Sequence, residues 1–148
     1  MNYFLLVPAG LLLLLGPGCS KKNEAPANGF AVDGRRVVAT TSSVKTGLTL
    51  NAGGDIRDYL RVDLISKSNS GAFEIAQMVY TKALGTPESA YEPLTLRYAA
   101  NTNSTAEYSY KLKATLTKTS TGYSGTFAAG SASIGGSSIS QGIFTNVQ

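Results

Sequence analysis

Few side chains in this sequence can carry out chemistry, and the missing types narrow the choice first. The chain has no histidine, no tryptophan and one cysteine, Cys19. Without His the usual proton shuttle at neutral pH is absent, and a lone Cys supports neither a Cys/His zinc site nor an internal disulfide. Acid–base work would fall to carboxylates, Lys or Tyr. Asp55, Asp58, Asp63, Glu74, Glu88, Glu92 and Glu107 are the carboxylates to weigh as a glycosidase-like pair. No spacing among them sets two at the required separation, and most alternate outward on expected strands. Ser and Thr are plentiful, but no His or G-x-S-x-G elbow activates one as a nucleophile. Gly53-Gly54-Asp55 with Asp58 offers oxygen ligands but lacks the further acidic positions and closing Glu of a calcium loop, so it reads as a hairpin turn. The sequence therefore names no catalytic residue, no metal ligand and no cofactor.

Tyrosine is the residue type left for recognition, because it joins apolar area to a polar tip. Tyr98, Tyr108 and Tyr110 fall on apolar faces and read as core. Tyr59 falls on a polar face and Tyr91 in a loop, so these two are the binding candidates, together with the loop from Gly85 to Tyr91. Net charge is +4, and Lys21 and Lys22 precede the folded part. Arg35-Arg36 is the only basic pair beyond them, and no segment interleaves Lys and Arg with aromatics. Nucleic acid is not an expected partner.

Cys19 has a different setting. Tyr3 to Leu15 (YFLLVPAGLLLLL) is apolar over about 13 positions, which suits the core of a signal peptide and is short of the ~20 residues of a membrane span. Gly16-Pro17-Gly18 leads into Cys19, and the polar run Ser20 to Gly29 follows. The segment resembles a bacterial lipoprotein signal. That resemblance implies a diacylglycerol thioether on Cys19, cleavage after Gly18 and a membrane partner reached through the lipid; an ordinary secretory leader is the other reading. Two or three acyl chains, at about 0.8 kcal/mol per buried CH₂, anchor a protein stably. Ser20 is no acidic retention signal, and Lys21-Lys22 is not the acidic cluster of surface export, which favours the outer membrane over the inner. The expected organisation is a leader over 1–18, a flexible tether over 19–28 and one domain over 29–148.

The chain as a whole has 43% hydrophobic residues, 15% charged and 16 Gly, and that domain reads as all-β. Asp33-Gly34 is a hairpin turn between Phe30-Ala31-Val32 and Arg35 to Thr41. Val44 to Asn51 is the next strand. Ile56 to Ser66 alternates with Ile56, Leu60, Val62 and Leu64 on the core side, and Arg57, Tyr59, Arg61 and Asp63 on the wet side. Ala72 to Leu84 is ambiguous: Phe73, Ile75 and Val79 alternate as in a strand over Ala72 to Tyr80, while a helix closed by Gly85 and Pro87 is the alternative. Leu94 to Ala99 would place Leu94, Leu96 and Tyr98 on one side. Ala106 to Lys118 shows the longest alternation, with Tyr108, Tyr110, Leu112, Ala114 and Leu116 facing in. Tyr123 to Ala129 and Ile139 to Val147 close the series. About 8–9 strands joined by short links imply a single antiparallel β-sandwich or a small β-barrel.

Gly29-Phe30 through Asp33-Gly34, then Tyr123-Ser124-Gly125-Thr126-Phe127, and finally Gly142-Ile143-Phe144-Thr145-Asn146-Val147 make the mature chain similar to small uncharacterised lipoproteins of the Bacteroidota. The similarity does not extend over Ala72 to Ala99. It implies a β-domain behind a lipid anchor and transfers no functional residue. The expectation is a non-catalytic envelope lipoprotein that binds a protein or glycan partner or serves a structural role at the surface. A β-barrel carrier of a small apolar ligand is the alternative, lined by Tyr108, Tyr110, Leu112 and Leu116. A carboxylate-dependent hydrolase is the minor one.

Overall fold

The computed structural model of the chain describes residues 27–101, 104–108, 112–130 and 137–148, with only the backbone described over 104–108. The expected leader, Cys19 and the tether up to residue 26 lie outside the described residues, as do Tyr110 and the side chains of Glu107 and Tyr108.

Asp33 and Gly34 both take positive φ, 48° and 82°, the conformation that a two-residue hairpin turn demands. They join β1 (Gly29–Val32) to β2 (Arg35–Val38). The Asp33 carboxylate also accepts hydrogen bonds from the backbone N–H (2.7 Å) and hydroxyl (3.2 Å) of Ser138. The backbone bond above all, with those to Ser137 and Ser138 hydroxyls, holds the Asp33 carboxyl below the usual carboxylate range.

At Thr40 the chain leaves this hairpin for a second sheet. It runs through β3 (Thr41–Leu50), β4 (Ile56–Lys67), β5 (Phe73–Ala83), β6 (Glu92–Ala100) and β7 (Ser104–Tyr108), paired in chain order as an antiparallel meander. A single 3-10 turn, Glu88–Ala90, interrupts the link from β5 to β6. The chain then returns to the first sheet as β8 (Lys113–Ala114), β9 (Thr117–Thr119), β10 (Gly122–Ala129) and β11 (Ile139–Val147). The order there is β2-β1-β11-β10-β8, with β9 also on β10. Neither sheet closes on itself, so the fold is a sandwich and not a barrel.

The core lies between the sheets. Leu60, Val62 and Leu64 of β4, Ala76, Met78 and Tyr80 of β5 and Leu96 of β6 are fully buried against Phe30, Phe127, Ile139 and Phe144. Phe30 meets Tyr98 edge-on across the sheets at 6.1 Å and lies 6.3 Å from Phe127, which lies 6.4 Å from Phe144. In the β10–β11 ladder, Phe127 stands opposite Gly142 and Phe144 opposite Gly125. Each ring thus lies over a residue without a side chain: a Cβ on Gly142 would stand 2.5 Å from the Phe127 ring, and one on Gly125 2.6 Å from that of Phe144.

Four expectations need correction. The described chain has eleven strands and not 8–9, mainly because Ala106 to Lys118 is not one strand: β7 pairs with β6, whereas β8 and β9 pair with β10. Alternation reports which side of a strand is buried and not which neighbour it pairs with, so a change of sheet leaves it unbroken. Ala72 to Leu84 forms the strand expected there over Ala72 to Tyr80, as β5 (Phe73–Ala83), with Ala76, Met78 and Tyr80 on the core side and Phe73, Ile75 and Val79 half-buried. Pairing Leu60 with Tyr80 and Val62 with Met78 sets that parity. Ile56, on the core-side stripe, is exposed at the end of β4. Leu94 is also exposed, because the ladder shifts there: Val79 pairs with Thr95 but Tyr80 with Pro93, leaving Leu94 as the extra residue of a bulge.

Candidate binding face

The outward side of the five-stranded sheet gathers polar groups that are far apart in the sequence. Arg57, Tyr59, Arg61 and Asp63 alternate outward on β4, as the sequence implies. Register then adds neighbours: Gly47 lies opposite Tyr59 and Lys45 opposite Arg61 on β3, Gln77 opposite Asp63 on β5, and Arg97 opposite Gln77 on β6.

Gly47 leaves room for an aromatic ring. A Cβ there would stand 3.0 Å from Tyr59 Cε1 and 3.3 Å from Cδ1, so one edge of the phenol ring lies against bare backbone. Next to it, Arg61 Nη2 donates to Asp63 Oδ2 at 2.9 Å, and Gln77 Nε2 donates to Asp63 Oδ1 at 3.0 Å. These two side chains cover the carboxylate, which explains why Asp63 is 5% exposed on the wet side of a sheet. The guanidinium is not fully matched: Arg61 Nε has no hydrogen-bond partner among the described residues. Tyr59, Arg61, Gln77, Val79, Leu94 and Arg97 are among the residues lining a shallow groove of about 480 Å³. The bulge that exposes Leu94 supplies one apolar wall. The arrangement sets an aromatic ring, an arginine held by Asp63 and an amide side by side, which suits a polar ligand with a ring and a negative charge.

Tyr91, the other sequence candidate, lies elsewhere, at the end of the sandwich beside the 3-10 turn. There Lys82 Nζ donates to Asp58 Oδ2 (2.5 Å) and to the Thr86 carbonyl (2.7 Å), and sits 5.3 Å from the Tyr91 ring centre. From the opposite sheet, Tyr123 donates to Glu88 Oε2 (2.6 Å), and Lys118 donates to the Tyr123 hydroxyl (3.0 Å). The loop Gly85 to Tyr91 is thereby clasped to both sheets. Burial, and then the carboxylates Glu88 and Asp58, push Tyr91 up to about 12; burial and the bond to Glu88 raise Tyr123. Tyr91 is half-buried against the core, so the cluster is a structural tie between loop and sheets.

The described carboxylates are not brought into a pair facing a cleft. Asp58 is held by Lys82, Asp63 by Arg61, Glu74 by Arg35, and Glu88 by Tyr123 with Lys118 at 3.9 Å. Asp55 accepts from Asn51 within the Gly53-Gly54 turn. No group of three His, Cys, Asp or Glu suited to a metal occurs among the described residues. Of the residues named for an apolar lumen, Leu112 and Leu116 pack against the core at its margin. An open depression of about 750 Å³ beside β8, lined in part by Leu112, Ala114, Phe127 and Ile143, is the larger hollow there.

Sequence reasoning named Tyr59 but missed Gly47, Arg61, Gln77 and Arg97. The polar alternation of β4 contained the signal for Arg61; Gln77 and Arg97 needed the register of β5 and β6. No helix among the described residues is long and apolar enough to cross a membrane. Comparison of the chain with protein-family models, with curated proteins and with solved structures found no match.

Proposed function

We propose that the chain is a lipid-anchored, non-catalytic protein of the bacterial cell envelope, on the outer membrane, whose β-sandwich binds an acidic saccharide on the outward face of its five-stranded sheet. The observation that carries the ligand class is the Tyr59 ring, one edge against Gly47, beside the Arg61 guanidinium in one groove. An aromatic face takes the apolar side of a sugar ring, and an arginine fork takes a carboxylate or phosphate. A binding role also fits the ion-paired state of Asp58, Asp63, Glu74 and Glu88. The anchor rests on the sequence pattern around Cys19 and on the resemblance to small lipoproteins.

Calorimetric titration with a uronic-acid oligosaccharide and its neutral counterpart tests the ligand. The acidic form binds more tightly, Tyr59→Ala weakens both about tenfold, near 1.4 kcal/mol, and Arg61→Gln removes the preference for charge. Equal binding by wild type and both variants would sink the assignment. For the anchor, metabolic labelling with a fatty-acid analogue marks the wild type and leaves Cys19→Ser blank; equal labelling overturns it.

A further inference from the structure

β3 is an edge strand, and its two halves are treated differently. The Val44 N–H donates to the carbonyl of Gln148 at 2.8 Å, so Gln148 covers the edge at Val44, in the first half. That bond also shows that Val44 turns its N–H away from β4. Backbone polarity alternates along a strand, so Thr46, Leu48 and Leu50 likewise aim their N–H and C=O groups at the open side. No backbone group among the described residues meets them there.

Edge strands are commonly protected by a bulge, a proline or an inward charge. The β3–β4 ladder runs without a register shift over all ten residues, and β3 has no proline and one charge, Lys45, on the outward face. Its second half is apolar where it should be blunted: Leu48 and Leu50 are 64% and 69% exposed. Exposed Ile56 stands opposite Leu50, and exposed Leu84 follows Ala83, the partner of Arg57, so the apolar strip continues inward from the edge.

We infer that the second half of β3 pairs antiparallel with the same segment of a second copy of this chain, about a twofold axis at Leu48. This register uses only the open residues: Leu48 meets Leu48, Thr46 meets Leu50, and each pair exchanges two backbone hydrogen bonds. It sets Lys45 opposite Asn51, so no like charges oppose one another, and it covers the exposed leucines on both copies. Two five-stranded sheets become one continuous sheet with two Tyr59 grooves on the same face, which gives bivalent binding. A five-residue strand pair buries less than the roughly 800 Å² per partner of a standard interface, so the pairing forms between copies concentrated on one surface and stays weak in dilute solution. The inference rests on the surface concentration that the proposed Cys19 anchor provides, and does not depend on what the groove binds.

Cysteine cross-linking of the full chain in its native membrane tests it, with the wild type as control for Cys19. Residues opposed in a hydrogen-bonded antiparallel pair have Cα atoms about 5.5 Å apart, within disulfide range. Leu48→Cys forms disulfide-linked dimers in most of the chain under mild oxidation, and Thr46→Cys alone forms none above the wild-type level. Thr46→Cys combined with Leu50→Cys in one chain cross-links again. Absence of Leu48→Cys dimers in a variant that melts like the wild type overturns the pairing. So does linkage only to a different protein, or equal dimer from Thr46→Cys and Leu48→Cys.

Discussion

Gly142→Ala adds one methyl group where the Phe127 ring leaves no room for it. Two effects oppose. Replacing Gly by Ala reduces the entropy of the unfolded chain and by itself stabilises by about 0.4–1 kcal/mol. Against this, the new Cβ stands 2.5 Å from ring atoms of Phe127, where carbon atoms normally rest near 3.5–4 Å. The ring must retreat by about 1 Å, and it is 2% exposed with Phe30 and Phe144 beside it. Overpacking of this kind costs about 1–3 kcal/mol. The packing loss wins, leaving a net destabilisation of about 1–2 kcal/mol, or a fall of about 4–8 °C in melting temperature for a domain of this size. Thermal melts by far-ultraviolet circular dichroism read this directly. Phe127→Leu in the Gly142→Ala background recovers part of the loss, because the two sites share one contact. A Gly142→Ala variant melting at or above the wild type would refute the account of facing Phe–Gly pairs.

Two further expectations follow from the end of the sandwich. Asp58→Ala leaves the Lys82 ammonium, 7% exposed, with the Thr86 carbonyl as its remaining partner and costs about 3 kcal/mol by denaturant titration, whereas Lys82→Met, which replaces the charge with matching apolar volume, stays within about 1 kcal/mol of wild type. Tyr91 holds its proton more tightly when folded, so its contribution is complete below pH 10 and is lost as pH rises from about 10 to about 12; melting temperature against pH, with tyrosinate absorbance, shows this loss in the wild type and less of it in Tyr91→Phe.

What the sequence made legible follows from how local each signal is. The Asp33-Gly34 hairpin, the outward-facing, half-buried Tyr59 and the strand Ile139–Val147 depend on neighbouring residues, and all were readable. The splitting of Ala106 to Lys118 between two sheets was not, since strand period is the same in both. Lys82 illustrates the limit more sharply: it sits on the inward side of β5 in line with Ala76, Met78 and Tyr80, and its burial depends on Asp58, 24 residues away and one strand over. The binding face divides likewise. Tyr59 and Arg61 could be found two residues apart on one strand, but Gly47, Gln77 and Arg97 join them only through pairings of β3, β5 and β6.

The point at which the chain enters the sandwich constrains what an anchored copy can present. Asn28 is fastened there from three directions: its side chain donates to the Ser42 hydroxyl and accepts from the Thr145 N–H, and its carbonyl accepts from the Ala39 N–H. The tether therefore arrives at the end of the sheet where β3 begins. Leu50 lies eight residues beyond Ser42 on that strand, about 26 Å away at a strand's rise, and the Gly53-Gly54 turn lies past it. Gly47 and Tyr59 sit midway. Eight residues from Cys19 to Ala27 reach at most about 28 Å. The proposed lipid on Cys19 would hold the entry end of the sandwich within that distance of the membrane. A reach comparable to the length of β3 lets the sheet stand or lie at the surface, so copies anchored side by side would be able to bring their open β3 edges together.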